Sequence, residues 1–182
     1  MRADAKKNYA QLLAVARDVV TEDGAEASLR DIARRAGVGF GTLYRHFPSR
    51  EALLDALLRE SFDALTVRAA ELEATQSSGE ALVTWLHEAV AVAHNFRGAI
   101  EAMVAAIADE GSALHASCQE MHAAGGRLLA RAQAEGTART DLDGTDFFAL
   151  LSALAWLRDQ PALQARADHL FDVIAGAILT KG

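Results

Sequence analysis

Between Ser28 and Arg59 the chain reads SLRDIARRAGVGFGTLYRHFPSREALLDALLR, and no other stretch limits its fold as tightly. Two short amphipathic patterns meet at Gly37, and a longer one follows Pro48. The second short pattern carries Thr42, Tyr44, Arg45 and His46 within a turn and a half. A helix-turn-helix needs this arrangement to hold one polar helix in a DNA major groove. Leu29, Ile32, Ala33 and Ala36 form the inner face of the first short helix. Ser28 with Asp31 makes a capping-box-like start for it, and Gly37 ends it. The second short helix spans roughly 39–46 and is anchored by Val38, Leu43 and Phe47. Gly39 and Gly41 are poor helix formers, but without a Cβ they let backbone come close to a duplex.

Helical periodicity extends to the rest of the chain. Tyr9, Leu12, Leu13, Ala16, Val19 and Val20 predict a helix over 5–23 that stops at Gly24. Pro48 and Ser49 break the chain and cap a helix whose apolar row is Leu53, Leu54, Leu57, Leu58, Phe62 and Leu65. It runs to about Thr75, where Gln76-Ser77-Ser78-Gly79 interrupts it. Further helices are expected near 80–96, 98–110, 112–135, 144–158 and 162–180. Gly125-Gly126 is a weak point in the third of these, read as a close helix crossing, a plain break or a hinge. The expected architecture is all-α: a three-helix head over 1–50, a linking helix over 50–75, and a helical ligand-binding and dimerisation bundle within 51–182.

Ala and Leu dominate, β-branched residues are sparse and there are only 2 prolines, which suits such a fold. No run of about 18 apolar residues suggests a membrane span, and the N-terminus lacks the apolar core of a signal peptide. The single cysteine, Cys118, leaves no internal disulfide, and a cytoplasmic location is expected. The net charge of −7 argues against an indiscriminate nucleic-acid binder, but charge is unevenly spread. Residues 1–50 hold nine Lys/Arg against six Asp/Glu, a net +3 that leaves −10 for the remainder. A cationic head on an anionic body turns the head toward DNA.

On that head, Thr42 and Tyr44 offer hydroxyls to phosphates or contact to a thymine methyl. Arg30 can reach a guanine edge or a phosphate. Arg50 lies in the first turn of a helix whose amide end also attracts phosphate. The run L-R-D-I-A-x-x-A-G-V-x-x-G-T-L-Y-R-H-F-P-S-R-E-A-L-L, from Leu29 to Leu54, resembles the signature of the tetracycline-repressor (TetR) family of bacterial transcriptional regulators. The resemblance covers about the first 65 residues; beyond them only helix count, length and the final helix pair agree. It implies an all-α homodimer with a DNA-binding head and a ligand pocket in the body. It also implies that Arg30, Phe40, Gly41, Thr42 and Tyr44 serve as base and phosphate contacts, and His46 as a backbone contact. Arg50 stands where a phosphate-gripping Lys is usual, and Gly39 where Ser is frequent. Gly39 and Arg45 complete the expected DNA-binding set. Gly37-Val38-Gly39-Phe40-Gly41 imitates a nucleotide-binding loop, but Thr42 replaces its third glycine and a helix precedes it.

For the body, polar rings scattered through an apolar background suggest a pocket for a small, largely hydrophobic effector. Its candidates are Trp85, His87, Val90, His94, Phe96, Met103, Ile107, Cys118, Met121 and His122. The segment 147–157 is apolar around nearly its whole circumference, and 163–179 carries one apolar stripe. Phe147, Leu151, Leu154, Leu163, Leu170, Phe171, Ile174 and Ile178 are therefore expected at a homodimer interface. His115, Cys118 and His122 share a stripe, and His87 and His94 are seven residues apart. A zinc or copper site there is the weaker reading, so neither metal nor cofactor is expected. The reading that follows is a repressor that binds an inverted-repeat operator as a homodimer and is released by a small molecule. Its rivals are an enzyme using His87, Glu88, His94 and Glu101, and a helical ligand carrier.

Overall fold

The structure is a computed structural model that describes residues 2–180. The side chains of Arg2, Lys6 and Lys7, counted in the charge of the head, lie outside what it describes. Its helices are α1 (Arg2–Asp23), α2 (Leu29–Arg35), α3 (Phe40–His46), α4 (Arg50–Thr75), α5 (Ser78–Asn95), α6 (Arg97–Ala102), α7 (Val104–Ala108), α8 (Ala113–Ala134), α9 (Gly144–Arg158) and α10 (Ala167–Ile178). Among the described residues there is no strand, only an isolated antiparallel bridge between Ala138 and Leu179. The chain divides into two compact units. Met1–Glu60 with Phe96–His115 forms the first, and Ser61–Asn95 with Ala116–Gly182 the second. The first takes in the start of α4.

In the first unit, Leu12, Leu13, Ala16, Val19 and Val20 of α1 are buried with Ile32, Leu43, Phe47, Leu53, Leu54 and Leu57. Burying each such leucine or phenylalanine contributes about 1.5–3 kcal/mol. Gly24 and Gly37 turn the chain with φ of +74° and +67°, a region that L side chains resist. Ser28 Oγ accepts from the Asp31 amide at 3.5 Å, so half of the expected capping box forms. The Asp31 carboxylate does not return the bond; it holds Arg34 and Arg35 instead. Gln11 Nε2 donates to the Ala36 carbonyl at 3.1 Å, satisfying a carbonyl at the end of α2.

The helix expected over 98–110 is two short ones, separated at Met103. Its C-terminal end is tied back by side chains: Ser112 Oγ donates to Ala106 O at 2.5 Å, and His115 Nδ1 lies 2.8 Å from Ile107 O. Orphan carbonyls satisfied in this way let the chain turn without further helix.

The second unit is organised around Trp85 on α5, which is fully buried and donates Nε1–H to Leu65 O on α4 at 2.8 Å. Its ring stacks on Phe147 and meets Phe148 edge-on, with centroids at 6.2 and 6.1 Å. Gly125 on α8 lies against the same indole: a Cβ there would stand 2.6 Å from Trp85 Cη2 and 2.9 Å from Phe148 Cζ. The glycine pair is thus a close crossing at Gly125, and α8 runs through it unbroken. Ser77 and Glu80 start α5 earlier than expected, at Ser78, since Ser77 donates to Glu80 Oε2 through both N–H and Oγ. After Pro161 the chain makes a turn and a short 3-10 segment (Gln164–Arg166), so the last helix begins at Ala167 rather than near 162.

The residues expected at a homodimer interface differ in exposure. Phe147, Leu151, Leu154, Phe171 and Ile178 are buried within the chain itself, where α9 packs on α5 and α10. Leu163, Leu170 and Ile174 are half-buried. A helix apolar on every side has one face for its own unit and one left over, and periodicity does not say which is which. The face left over carries Trp156, 54 % exposed, and on α10 Val173, 53 % exposed.

Candidate DNA interface and effector region

α3 exposes its polar face because its other face is anchored. Leu43 and Phe47 are buried, while Gly39, Phe40, Gly41, Tyr44 and Arg45 are exposed and Thr42 is half-buried. Val38, expected beside the two anchors, is only half-buried. Tyr44 is 53 % exposed, and its ring centre lies 6.1 Å from that of Phe40. Arg45 Nε donates to Gly41 O at 3.1 Å along its own helix. His46 meets Tyr9 of α1 edge-on at 5.7 Å, and Tyr9 also packs on Phe47 at 5.3 Å. Tyr9 therefore orients His46, a role with no local signal in the sequence.

Beside α3 an open groove of about 510 Å³ is lined by Glu26, Ser28, Leu29, Arg30, Phe40, Arg50 and Glu51. Arg50 Nη1 donates to Glu26 Oε2 at 2.5 Å, so the expected phosphate ligand is parked on a carboxylate. Glu26 was not foreseen, since it stands 24 residues from Arg50 in the chain. Ser49 Oγ accepts from the Ala52 amide at 3.1 Å and caps α4. The Glu51 backbone N–H, the Ser49 hydroxyl and nearby Arg50 hold the Glu51 carboxyl below the usual carboxylate range. Arg34 and Arg35, with Asp31 and Glu22, form an exposed ion-pair cluster. Hydrogen bonding to Arg34 first, then the charges of both arginines, lower the Asp31 carboxyl pKa.

The effector candidates are drawn from both units. Phe96, Met103 and Ile107 belong to the first unit; Trp85, His87, Val90, His94, Cys118, Met121 and His122 belong to the second. Trp85 and Val90 are core, and Phe96, Met103 and Met121 are also buried. His87 meets Phe171 edge-on at 5.0 Å, and His94 Nδ1 lies 2.9 Å from Asp159 Oδ1. His122 stacks on Phe148 at 3.9 Å, with Cys118 Sγ 3.9 Å from its Nε2. Burial pushes the Cys118 thiol up and the His122 imidazole down from their ordinary values, each toward its neutral form. His115 Nδ1 is engaged by Ile107 O. Of the residues of the enzyme reading, Glu88 holds Arg68 at 3.1 Å, and Glu101 lies 3.8 Å from Arg97.

A short helix with an exposed polar face, set by a glycine turn on two supporting helices, defines the class of helix-turn-helix DNA-binding proteins. Comparison with known proteins narrows this. The model for bacterial regulatory proteins of the tetR family matches residues 12–57, and that for the transcriptional regulator SbtR-like C-terminal domain matches residues 77–177. The chain belongs to the TetR family of transcriptional regulators, whose members are not enzymes. The TetR transcriptional regulator SCO0520 of Streptomyces coelicolor is 35% identical, covers 94% of this chain and 98% of its own, and superposes with a TM-score of 0.77. A TetR regulatory protein of Mycobacterium vanbaalenii is 33% identical over 98% of this chain and 99% of its own, with a TM-score of 0.73. The HTH-type transcriptional repressor KstR2 of Rhodococcus jostii is 38% identical over 90 residues, which are 47% of this chain and 44% of that protein. The chain thus spans less than half the length of this curated relative.

Proposed function

We infer that the protein is a ligand-responsive repressor that binds an inverted-repeat operator as a homodimer. The observation that carries the reading is α3: Tyr44 and Phe40 face solvent while Leu43 and Phe47 fix the helix from behind. Arg30, Gly39, Phe40, Gly41, Thr42, Tyr44, Arg45, His46 and Arg50 form the DNA-contacting set. A repressor among its relatives, KstR2, favours repression over activation. Its place of action is the cytoplasm, with the DNA it regulates; among the described residues no helix is long and apolar enough to cross a membrane.

One α3 reads only a short half-site, so a two-fold pair is needed to read an inverted repeat. The dimer forms through the outward faces of α9 and α10, around Trp156 and Val173, with Ala149, Ala153, Gly176 and Ala177 allowing close approach. These residues are exposed and small or apolar. A small hydrophobic effector bound in the helical body is coupled to the head through α4, which begins at Arg50 in the first unit and continues into the second. The effector need only favour the DNA-incompetent arrangement to release the operator.

Purified protein is titrated against DNA from upstream of its own coding region in a mobility-shift assay, with its mass measured in solution. A sequence-specific shift by a dimer supports the reading. A strictly monomeric protein, or one that ignores every promoter fragment at physiological salt, overturns it.

A further inference from the structure

Carboxylates of the head hold several of its arginines. Asp31 binds Arg34 and Arg35, and Glu22 binds Arg35; neither arginine belongs to the DNA-contacting set. Glu26 differs, because its partner Arg50 does belong to that set. Arg50 Nη1 donates to Glu26 Oε2 at 2.5 Å, and Arg50 Nη2 donates to the Glu26 carbonyl oxygen at 3.4 Å. Both residues line the groove beside α3. The other carboxylate of that groove, Glu51, is held by its own backbone N–H and by Ser49.

The fold sets Glu26 in place. It ends the 3-10 turn Gly24–Glu26, which closes with the Ala27 amide donating to Gly24 O at 3.1 Å. α1 and α6 both pack on this turn, and Ala27 and Ala99 of α6 are buried. A fixed backbone thus holds the carboxylate beside Arg50, while the side chain itself stays 86 % exposed. An ion pair this open shifts an equilibrium by no more than about fivefold, so a phosphate can displace it. The exchange still has a cost. Arg50 gives up one anion to gain another, and the freed Glu26 carboxylate is left in the negative field of the duplex.

We propose that Glu26 is an internal competitor for phosphate, which lowers affinity for DNA by occupying Arg50 in the free protein. The assignment rests on the phosphate-contacting role given to Arg50 above. A phosphate contact carries no sequence information, so the loss is the same for operator and unrelated duplexes. The Glu26–Arg50 pair has no net charge. Wild type therefore gains less from counterion release than it would with Arg50 unpaired.

The test is a double-mutant cycle in duplex binding by the full-length chain: wild type, Glu26→Gln, Arg50→Gln and the double variant. Each is titrated against DNA from upstream of its own coding region and against a duplex of unrelated sequence. Glu26→Gln should tighten binding to both by about two- to fivefold at low salt. It should also steepen the fall of log affinity with log salt by up to about one unit of slope. In the Arg50→Gln background the same substitution should gain less than about twofold, since only its screened charge remains to act. The proposal is overturned if Glu26→Gln binds as wild type does, or if it tightens binding equally with and without Arg50. A wild type that binds neither duplex removes the DNA-binding reading and this proposal together. An Arg50→Gln protein that binds as wild type does removes the phosphate role of Arg50 and this proposal with it. Weaker binding by Arg50→Gln with no gain from Glu26→Gln removes this proposal alone.

Discussion

Alanine at Gly125 should destabilise the protein, and alanine one residue later should stabilise it. Both glycines lie inside α8, so each forgoes about 0.5–1 kcal/mol of helix propensity relative to alanine. At Gly126 an added Cβ has nothing within 4 Å, so the variant should keep that whole gain. At Gly125 the Cβ would stand 2.6 and 2.7 Å from two carbons of the Trp85 indole. That ring cannot withdraw freely, because its N–H is bonded to Leu65 O at 2.8 Å and its face stacks on Phe147. Overpacking costs typically 1–3 kcal/mol, and three contacts under 3.0 Å put this site at about 2–3, which exceeds the propensity gain and leaves a net loss of about 1–2.5 kcal/mol. For a chain of this size each kcal/mol moves Tm by roughly 2–4 °C. Urea or thermal unfolding followed by far-ultraviolet circular dichroism, at one fixed protein concentration, reads both variants. A Gly125→Ala protein as stable as wild type would refute the close-crossing argument, whatever Gly126→Ala does.

Three further outcomes are expected. Gly37→Ala places a Cβ at φ +67° in the turn before α3 and should cost about 1–2 kcal/mol, read by the same unfolding assay. Trp85→Phe removes the hydrogen bond to Leu65 O and part of a fully buried ring, and should cost about 1–3 kcal/mol; an unchanged unfolding midpoint contradicts the central place given to Trp85. The folded Asp31 carboxyl is held below its ordinary 3.8, so its contribution to stability is present above that value and is lost as pH falls through the lowered one. Asp31→Asn should therefore show a weaker loss of stability on acidification below about pH 4 than wild type, measured by thermal melts across that range.

How much was legible in the sequence depended on whether the signal was local. Gly24 and Gly37 adopt positive φ where they were expected to stop helices, and Leu43 and Phe47 turn inward as their spacing demands. The apolar row of α4 from Leu53 to Leu65 is buried throughout. Ser77 with Glu80, and Asp143 with Asp146, are local caps whose three-residue spacing the sequence displays. Other features had no local signal. Glu26 meets Arg50, and Gly125 meets Trp85, across gaps in the chain that only folding closes. The same limit applies to the exposed apolar face of α9. In α9 the apolar residues on all sides left Phe147 and Trp156 equivalent on paper, while packing on α5 buried the first and left the second outside.

We propose that α3 reads a duplex by direct contact. The most direct test is a fluorescence-anisotropy titration of one operator duplex against wild type and Tyr44→Ala at several salt concentrations. Wild-type affinity should fall steeply and linearly on logarithmic axes as phosphate contacts release counterions. Tyr44→Ala should lose about 1–3 kcal/mol of affinity with its helical content unchanged. Affinity that stays flat between low and high salt, together with a Tyr44→Ala protein that binds as wild type does, would contradict the account.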